Sequence, residues 1–93
     1  MILAYITCKD EKEADRISTQ LLVKKLIGCS NVFPIKSSYF WNKKLQKTNE
    51  VLILAKTKDK NFAKIEKEVK KMHSYKIPCI AKIKFAANKG FED

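Results

Sequence analysis

The chain has 93 residues, 45% of them hydrophobic, and carries a net charge of +10 from 20 basic and 10 acidic residues. That length makes one domain, with enough apolar side chains for a compact core. No apolar run of ~18 residues exists, which excludes a membrane-spanning helix.

Other function classes fall with the charge pattern and the cysteines. Every basic residue except Arg16 is a lysine. Base and phosphate recognition favours the arginine fork, so nucleic acid is not an expected partner. Cys8, Cys29 and Cys79 are odd in number and widely spaced, which argues against a disulfide framework. They read as small, half-buried thiols in strands. The N-terminus lacks a basic leader and a small-residue cleavage site, so a cytoplasmic location is the default expectation.

Residues 2–8 form a first strand. Ile2, Ala4, Ile6 and Cys8 share one face, and Leu3, Tyr5 and Thr7 the other. Both faces are largely apolar, so the strand is expected to be central. Asp10 to Leu26 reads as a helix. Asp10 is the N-cap, with Glu13 three residues on. Ala14, Ile17, Leu21 and Leu22 form its buried stripe, Lys24 and Lys25 fill its last turn, and Gly28 is its stop.

Cys29 to Thr57 reads as a long β-hairpin with a polar middle, Asn42 to Asn49. Its arms exceed the usual strand of ~5–6 residues, so they overhang a small domain and need something to pack on. Another copy of the chain is the simplest candidate. Pro34 assigns the first arm to a sheet edge. Tyr39 and Trp41 share a face; Phe40 takes the other. Lys58 to Met72 is a second helix, capped by Asp59 or Thr57, with Phe62, Ile65, Val69 and Met72 on one face. After Pro78 a last strand runs from Cys79 to Ala87, and Asn88 to Asp93 is a short, turn-like tail.

The order βαββαβ implies an α+β, ferredoxin-like domain: a four-stranded antiparallel sheet with two helices on one face. The open face, with Leu3, Tyr5 and Trp41, then needs a cover, and sheet packing between subunits supplies one.

No catalytic constellation stands out, and an enzyme is not expected. Glu66 and Glu68 do not face each other on a helix. RNA-recognition domains share the topology but stack bases on aromatics of the central strands; the third strand, Glu50 to Thr57, has none. His73 with a cysteine is a candidate copper or zinc ligand; the plainer reading is a histidine that caps a helix end. The topology is expected to bring Cys29 and His73 toward the same end of the sheet. Strands two and four are opposite edges, which puts Cys29 and Cys79 more than ~10 Å apart at ~4.8 Å per strand. Only a neighbouring subunit completes a site using both.

Several motifs are similar to those of one family. They are Cys29-Ser30-Asn31, Pro34, Ser37-Ser38-Tyr39-Phe40-Trp41, Lys44-Leu45, Glu50-Val51, Lys56-Thr57, His73-Ser74-Tyr75-Lys76-Ile77-Pro78, Asn88 and Phe91. Together they resemble the CutA divalent-cation tolerance family over nearly the whole chain, 1–93, as a single domain. The resemblance implies a ferredoxin-like homotrimer related in fold to PII signalling proteins, linked to divalent-cation tolerance and associated with copper. It implies Cys29 and His73 as metal ligands, with Cu(II) or another divalent cation as the candidate ligand. It also implies Tyr39, Trp41 and Tyr75 as trimer-interface aromatics. The alternative it carries is a PII-like regulatory or scaffold trimer that binds a small ligand or protein partner in clefts between subunits. Ser74, Lys76 and Lys43 replace the family's Pro, Glu and turn Gly, and Lys76 reverses a charge three residues from His73.

Overall fold

The computed structural model describes residues 1–92. The elements in chain order are β1 (Ile2–Cys8), α1 (Glu11–Val23), β2 (Cys29–Trp41) and β3 (Lys44–Thr57). A 3₁₀ turn (Asp59–Asn61), α2 (Phe62–Met72), β4 (Ile80–Lys84) and a one-turn α3 (Lys89–Glu92) follow. The strands form one antiparallel sheet in the order β2-β3-β1-β4. This is the ferredoxin-like arrangement, with β1 central and the Pro34 strand at an edge, as its sequence implies.

The core lies between the sheet and the helices. Ile2, Ala4, Ile6 and Cys8 from β1 are buried with Val51, Ile53 and Ala55 from β3. Ala14, Ile17 and Leu21 of α1 and Ile65 and Val69 of α2 close over them. Phe62 and Met72 reach only partial burial at the ends of the α2 stripe. Spacing assigns Leu22 to the α1 stripe, but it is 42% exposed. Ser18 and Glu13 take buried positions on that helix instead.

Helix ends differ from expectation in informative ways. Asp10 does cap α1, its carboxylate accepting the Glu13 N–H at 2.8 Å. The helix stops at Val23, before Lys24 and Lys25. Lys25 takes the left-handed conformation, φ 59°. Its N–H bonds to the Leu22 carbonyl and that of Leu26 to the Leu21 carbonyl, each at 3.0 Å. These two bonds form a Schellman motif, so the stop is made at Lys25 rather than Gly28. Neither expected cap of α2 acts as one. Asp59 bonds Lys82 Nζ at 2.7 Å, and the Thr57 hydroxyl donates to the Leu26 carbonyl at 2.6 Å. A 3₁₀ turn opens the helix instead.

The hairpin is longer and tighter than its polar middle suggested. Only Asn42 and Lys43 form the turn, with φ of 52° and 64°, and Lys44 to Asn49 are strand, paired from Trp41 back to Lys36. Two positive φ values define the type I′ connection whose twist suits a hairpin. The alternation of polar and apolar residues vanishes there because the overhang has no core to face. The molecule is 46 Å long and 21 Å thick as a result. Glycine is the default at the second turn position, so Lys43→Gly should stabilise the chain by about 0.5–1 kcal/mol. A denaturant midpoint that falls instead would show that Lys43 makes a contact outweighing its strain.

β4 is shorter than predicted. Lys84 already pairs with Ile2, the first residue of β1, and after it the Phe85 N–H bonds the Met1 carbonyl at 3.3 Å, outside the ladder. The tail makes one helical turn, α3; its last residue, Asp93, lies outside the described residues. No described helix is long and apolar enough to cross a membrane.

Candidate functional site

Three candidate ligand groups, on Cys8, Glu13 and His73, converge where β1 ends. The burial alternation of β1 turns the Cys8 thiol into the core. The Asp10 cap starts α1 so that Glu13, in its first turn, points back beneath the Lys9 backbone. α2 runs parallel to β1 and delivers His73 at its C-cap, where the His73 N–H still bonds the Val69 carbonyl at 2.9 Å. Ligand atoms of Cys8, Glu13 and His73 all lie within 4.8 Å of one another.

Hydrogen bonds assign most of the protons. The Tyr75 N–H donates to His73 Nδ1 at 3.0 Å, so His73 carries its proton on Nε2, which donates to the Thr7 carbonyl at 2.6 Å. Glu13 is 2% exposed. One carboxylate oxygen accepts the Lys9 N–H at 3.0 Å and the other the Ser74 N–H at 2.8 Å. Burial alone would raise the Glu13 carboxyl, but the Ser74 and Lys9 hydrogen bonds win, and it is held below its ordinary range. Arg16 closes the rim. Its guanidinium lies 3.9 Å from Glu13 and bonds the Met72 carbonyl at 3.2 Å, where cations are favoured at a helix end.

The thiol and the phenol respond in the opposite sense. Burial, reinforced by the charges of Glu13, Asp10 and Glu50, pushes the Cys8 thiol up to about 12. It is a thiol, not a thiolate, at neutral pH. Tyr75 packs against His73 with the rings tilted by 50° and 4.8 Å between ring centres, and donates its hydroxyl to Glu50 at 2.6 Å. Burial and that bond to a carboxylate raise its phenol.

The set of sulfur, imidazole and carboxylate suits a borderline-soft divalent ion. A coordinated ion needs ligand bonds of ~2.0–2.3 Å, so the three groups must draw together. His73 must also release either the Thr7 carbonyl or the Tyr75 N–H. Lys76 is exposed nearby, three residues from His73.

The residues singled out from sequence are scattered. His73 is in the cluster and Tyr75 borders it. Cys29 pairs with Lys56, and Lys56 with Leu3, whereas His73 bonds the carbonyl of Thr7. At ~3.3 Å per residue, four residues of β1 put Cys29 and His73 about 13 Å apart along the sheet. The expectation that they lie toward the same end is therefore corrected. The two helices run in opposite directions, so α1 ends beside the start of β1 and α2 beside its end. Cys29 instead meets Lys56 Nζ at 3.5 Å. Tyr39 and Trp41 stand far out on the hairpin, 44% and 65% exposed. All three cysteines are free; Cys8 is buried, Cys29 partly buried and Cys79 exposed. Sequence reasoning missed Cys8 and Glu13. The signal available was the capping pattern around Asp10, which forces Glu13 back toward the strand end carrying Cys8.

This βαββαβ chain, with its histidine–thiol–carboxylate cluster at the end of β1, falls in the class of small ferredoxin-like proteins with long β2–β3 arms. Residues 2–93 match the model of the CutA1 divalent ion tolerance protein family, and the chain belongs to that family. It is 47% identical over 79 residues to the divalent-cation tolerance protein CutA of Archaeoglobus fulgidus, covering 85% of this chain and 78% of that one. The solved structure described as the periplasmic divalent cation tolerance protein CutA of A. fulgidus superposes with a TM-score of 0.92. It is 43% identical over 98% of this chain and 91% of that chain. The PII-like protein CutA of Nostoc, at 21% identity, covers 91% of this chain and 81% of that one with a TM-score of 0.83, a likeness of fold alone.

Proposed function

We propose that this chain assembles as a homotrimer and serves divalent-cation tolerance by holding a copper-like cation through His73, with Cys8 and Glu13 as the partners within reach. Family membership over residues 2–93 carries this reading, and the convergence of three ligand types around His73 supports it. Cys29, which the resemblance implies as a ligand together with His73, can serve only from a neighbouring copy. The trimer is supported by the uncovered open face, where Phe33, Tyr39, Trp41 and Ile83 are exposed beside partly buried Leu3 and Tyr5. Such an apolar face marks an interface. The hairpin aromatics Tyr39 and Trp41 would pack across subunits, with Tyr75 at the boundary.

The chain is read as a binding protein rather than an enzyme. Its single histidine has both ring nitrogens bonded inside the fold, so it is not free to serve as a general base. The three free cysteines are compatible with a cytoplasmic setting; cell fractionation is the direct check.

A second reading is favoured by one observation: Glu13 and His73 already have hydrogen-bond partners, and the Cys8 proton is tightly held. That suits a PII-like regulatory or scaffold trimer, with the cluster as structural support and a small ligand or protein partner in the clefts between subunits. Native mass spectrometry with and without Cu(II) separates the two. A trimer carrying about one copper per subunit, lost in His73→Ala and kept in Cys29→Ser, supports the cation reading. A bare trimer moves the function to the second reading, and a monomer overturns the assembly.

A further inference from the structure

At the opposite end of the sheet from His73, the α1–β2 and β3–α2 connections enclose a cleft of about 430 Å³. Four lysines line it: Lys25 from the first connection, Lys56 from the end of β3, and Lys58 and Lys60 from the second. No carboxylate lines it among the described residues. Asp59, between two of these lysines in sequence, is drawn away by Lys82 at 2.7 Å. Lys24 and Lys70 are neutralised by Glu68 and Glu66, each at 2.9 Å. Lys25, Lys58 and Lys60 make no ion pair or side-chain hydrogen bond among the described residues, so charge is concentrated here without compensation.

The walls are built rather than loose. The Thr57 hydroxyl donates to the Leu26 carbonyl at 2.6 Å, and Asn61 Nδ2 bonds both of those groups, at 3.1 and 3.2 Å. The Gly28 N–H is spent on the Lys56 carbonyl at 2.8 Å. These polar groups are consumed in holding the connections together, and Lys56 Nζ is bonded to Cys29 and Asn31, which leaves the ammoniums of Lys25, Lys58 and Lys60 as the free donors. Lys25 adds an independent sign. It occupies the left-handed position of the Schellman motif, φ 59°, where glycine is the default and a side chain costs about 1–2 kcal/mol. The side chain retained at that cost faces this cleft, and strain of this kind gathers at functional positions.

We propose that this cleft binds a small polyanion of the triphosphate class. Lysine engages phosphate as a flexible point charge, and several uncompensated ammoniums match a chain of phosphates better than one. The Thr57, Asn61 and Gly28 donors of the lining are already bonded within the wall, so the phosphates, rather than a base or sugar, are what the lysines recognise. The proposal does not depend on the cation reading, since the two sites sit at opposite ends of β1.

The test is calorimetric titration of inorganic tripolyphosphate into the metal-free full chain at about 50 mM salt, where exposed charges are only partly screened. Saturable binding is expected, with orthophosphate at least about tenfold weaker. The double variant Lys58→Gln/Lys60→Gln should lose about tenfold or more. Lys67→Gln/Lys71→Gln removes the same charge from α2 outside the cleft and should bind as the parent does. These are surface lysines, so all variants should fold; Lys25→Gln gives a further independent loss. Absence of saturable binding, equal affinity for orthophosphate, or equal weakening in both double variants would overturn the proposal.

Discussion

Trp41→Ala should lower the thermal midpoint by ten degrees or more, on the order of 2 kcal/mol or more per interface, and the drop should grow as the protein is diluted. Within one chain the residue has little to lose. Its side chain is 65% exposed near the hairpin tip, beyond the core. Truncating such a residue changes a monomer's stability by about 0.5 kcal/mol at most. A large effect therefore requires that another copy buries the indole, and the concentration dependence follows by mass action. Phe40, 75% exposed on the opposite face, is the matched control; Phe40→Ala should move the midpoint less. A midpoint unchanged by Trp41→Ala would remove the hairpin aromatics from the interface.

Glu13→Gln should cost about 1–3 kcal/mol, because it turns an acceptor into a donor against a buried N–H. The carboxylate is needed on both sides. One oxygen serves Lys9 and the other Ser74, and an amide can satisfy only one of them. The pH dependence identifies the cause. The folded-state carboxyl is held below its ordinary value of 4.5, so the unfolded chain binds the proton more readily. Its stabilising contribution is complete above 4.5 and is lost as pH falls through the lower folded value. The gap between parent and variant in thermal midpoint should accordingly be constant near neutrality and narrow in acid. A gap that persists unchanged into strong acid would mean that Glu13 acts through packing, not charge.

Much of the architecture was legible because the signals were local and periodic. The two largely apolar faces of β1, Pro34 at an edge, the Asp10 cap and the Ile65–Val69 stripe each report their own neighbourhood. Errors arose where a distant partner decided the outcome. Thr57 and Asp59 are good caps by type, but Leu26 and Lys82 claim them. Lys44 to Asn49 look like loop by composition, yet pairing with β2 makes them strand. The site shows the same division. His73 was visible as the chain's single histidine. Its companions Cys8 and Glu13 lie sixty or more residues away in sequence, and no spacing rule reaches that far. The Cys29 placement failed on helix direction, which the βαββαβ order already contains.

The position of β1 has a consequence for how the chain must fold. This first strand lies between β3 and β4, so Ile6 pairs with Ile53 on one side and Ile80 on the other. Neither neighbour is adjacent in sequence, and both loops must close before the central ladder exists. The β2–β3 hairpin, joined by two residues, can zip within microseconds. Completion of the sheet waits on contacts of large sequence separation, which slow folding. The same delay applies to Glu13, whose acceptor to Ser74 finds its donor only after α2 has docked. During synthesis β1 therefore emerges before both of its partners and is satisfied last, and an incomplete chain exposes the apolar strand that the finished molecule keeps at its centre.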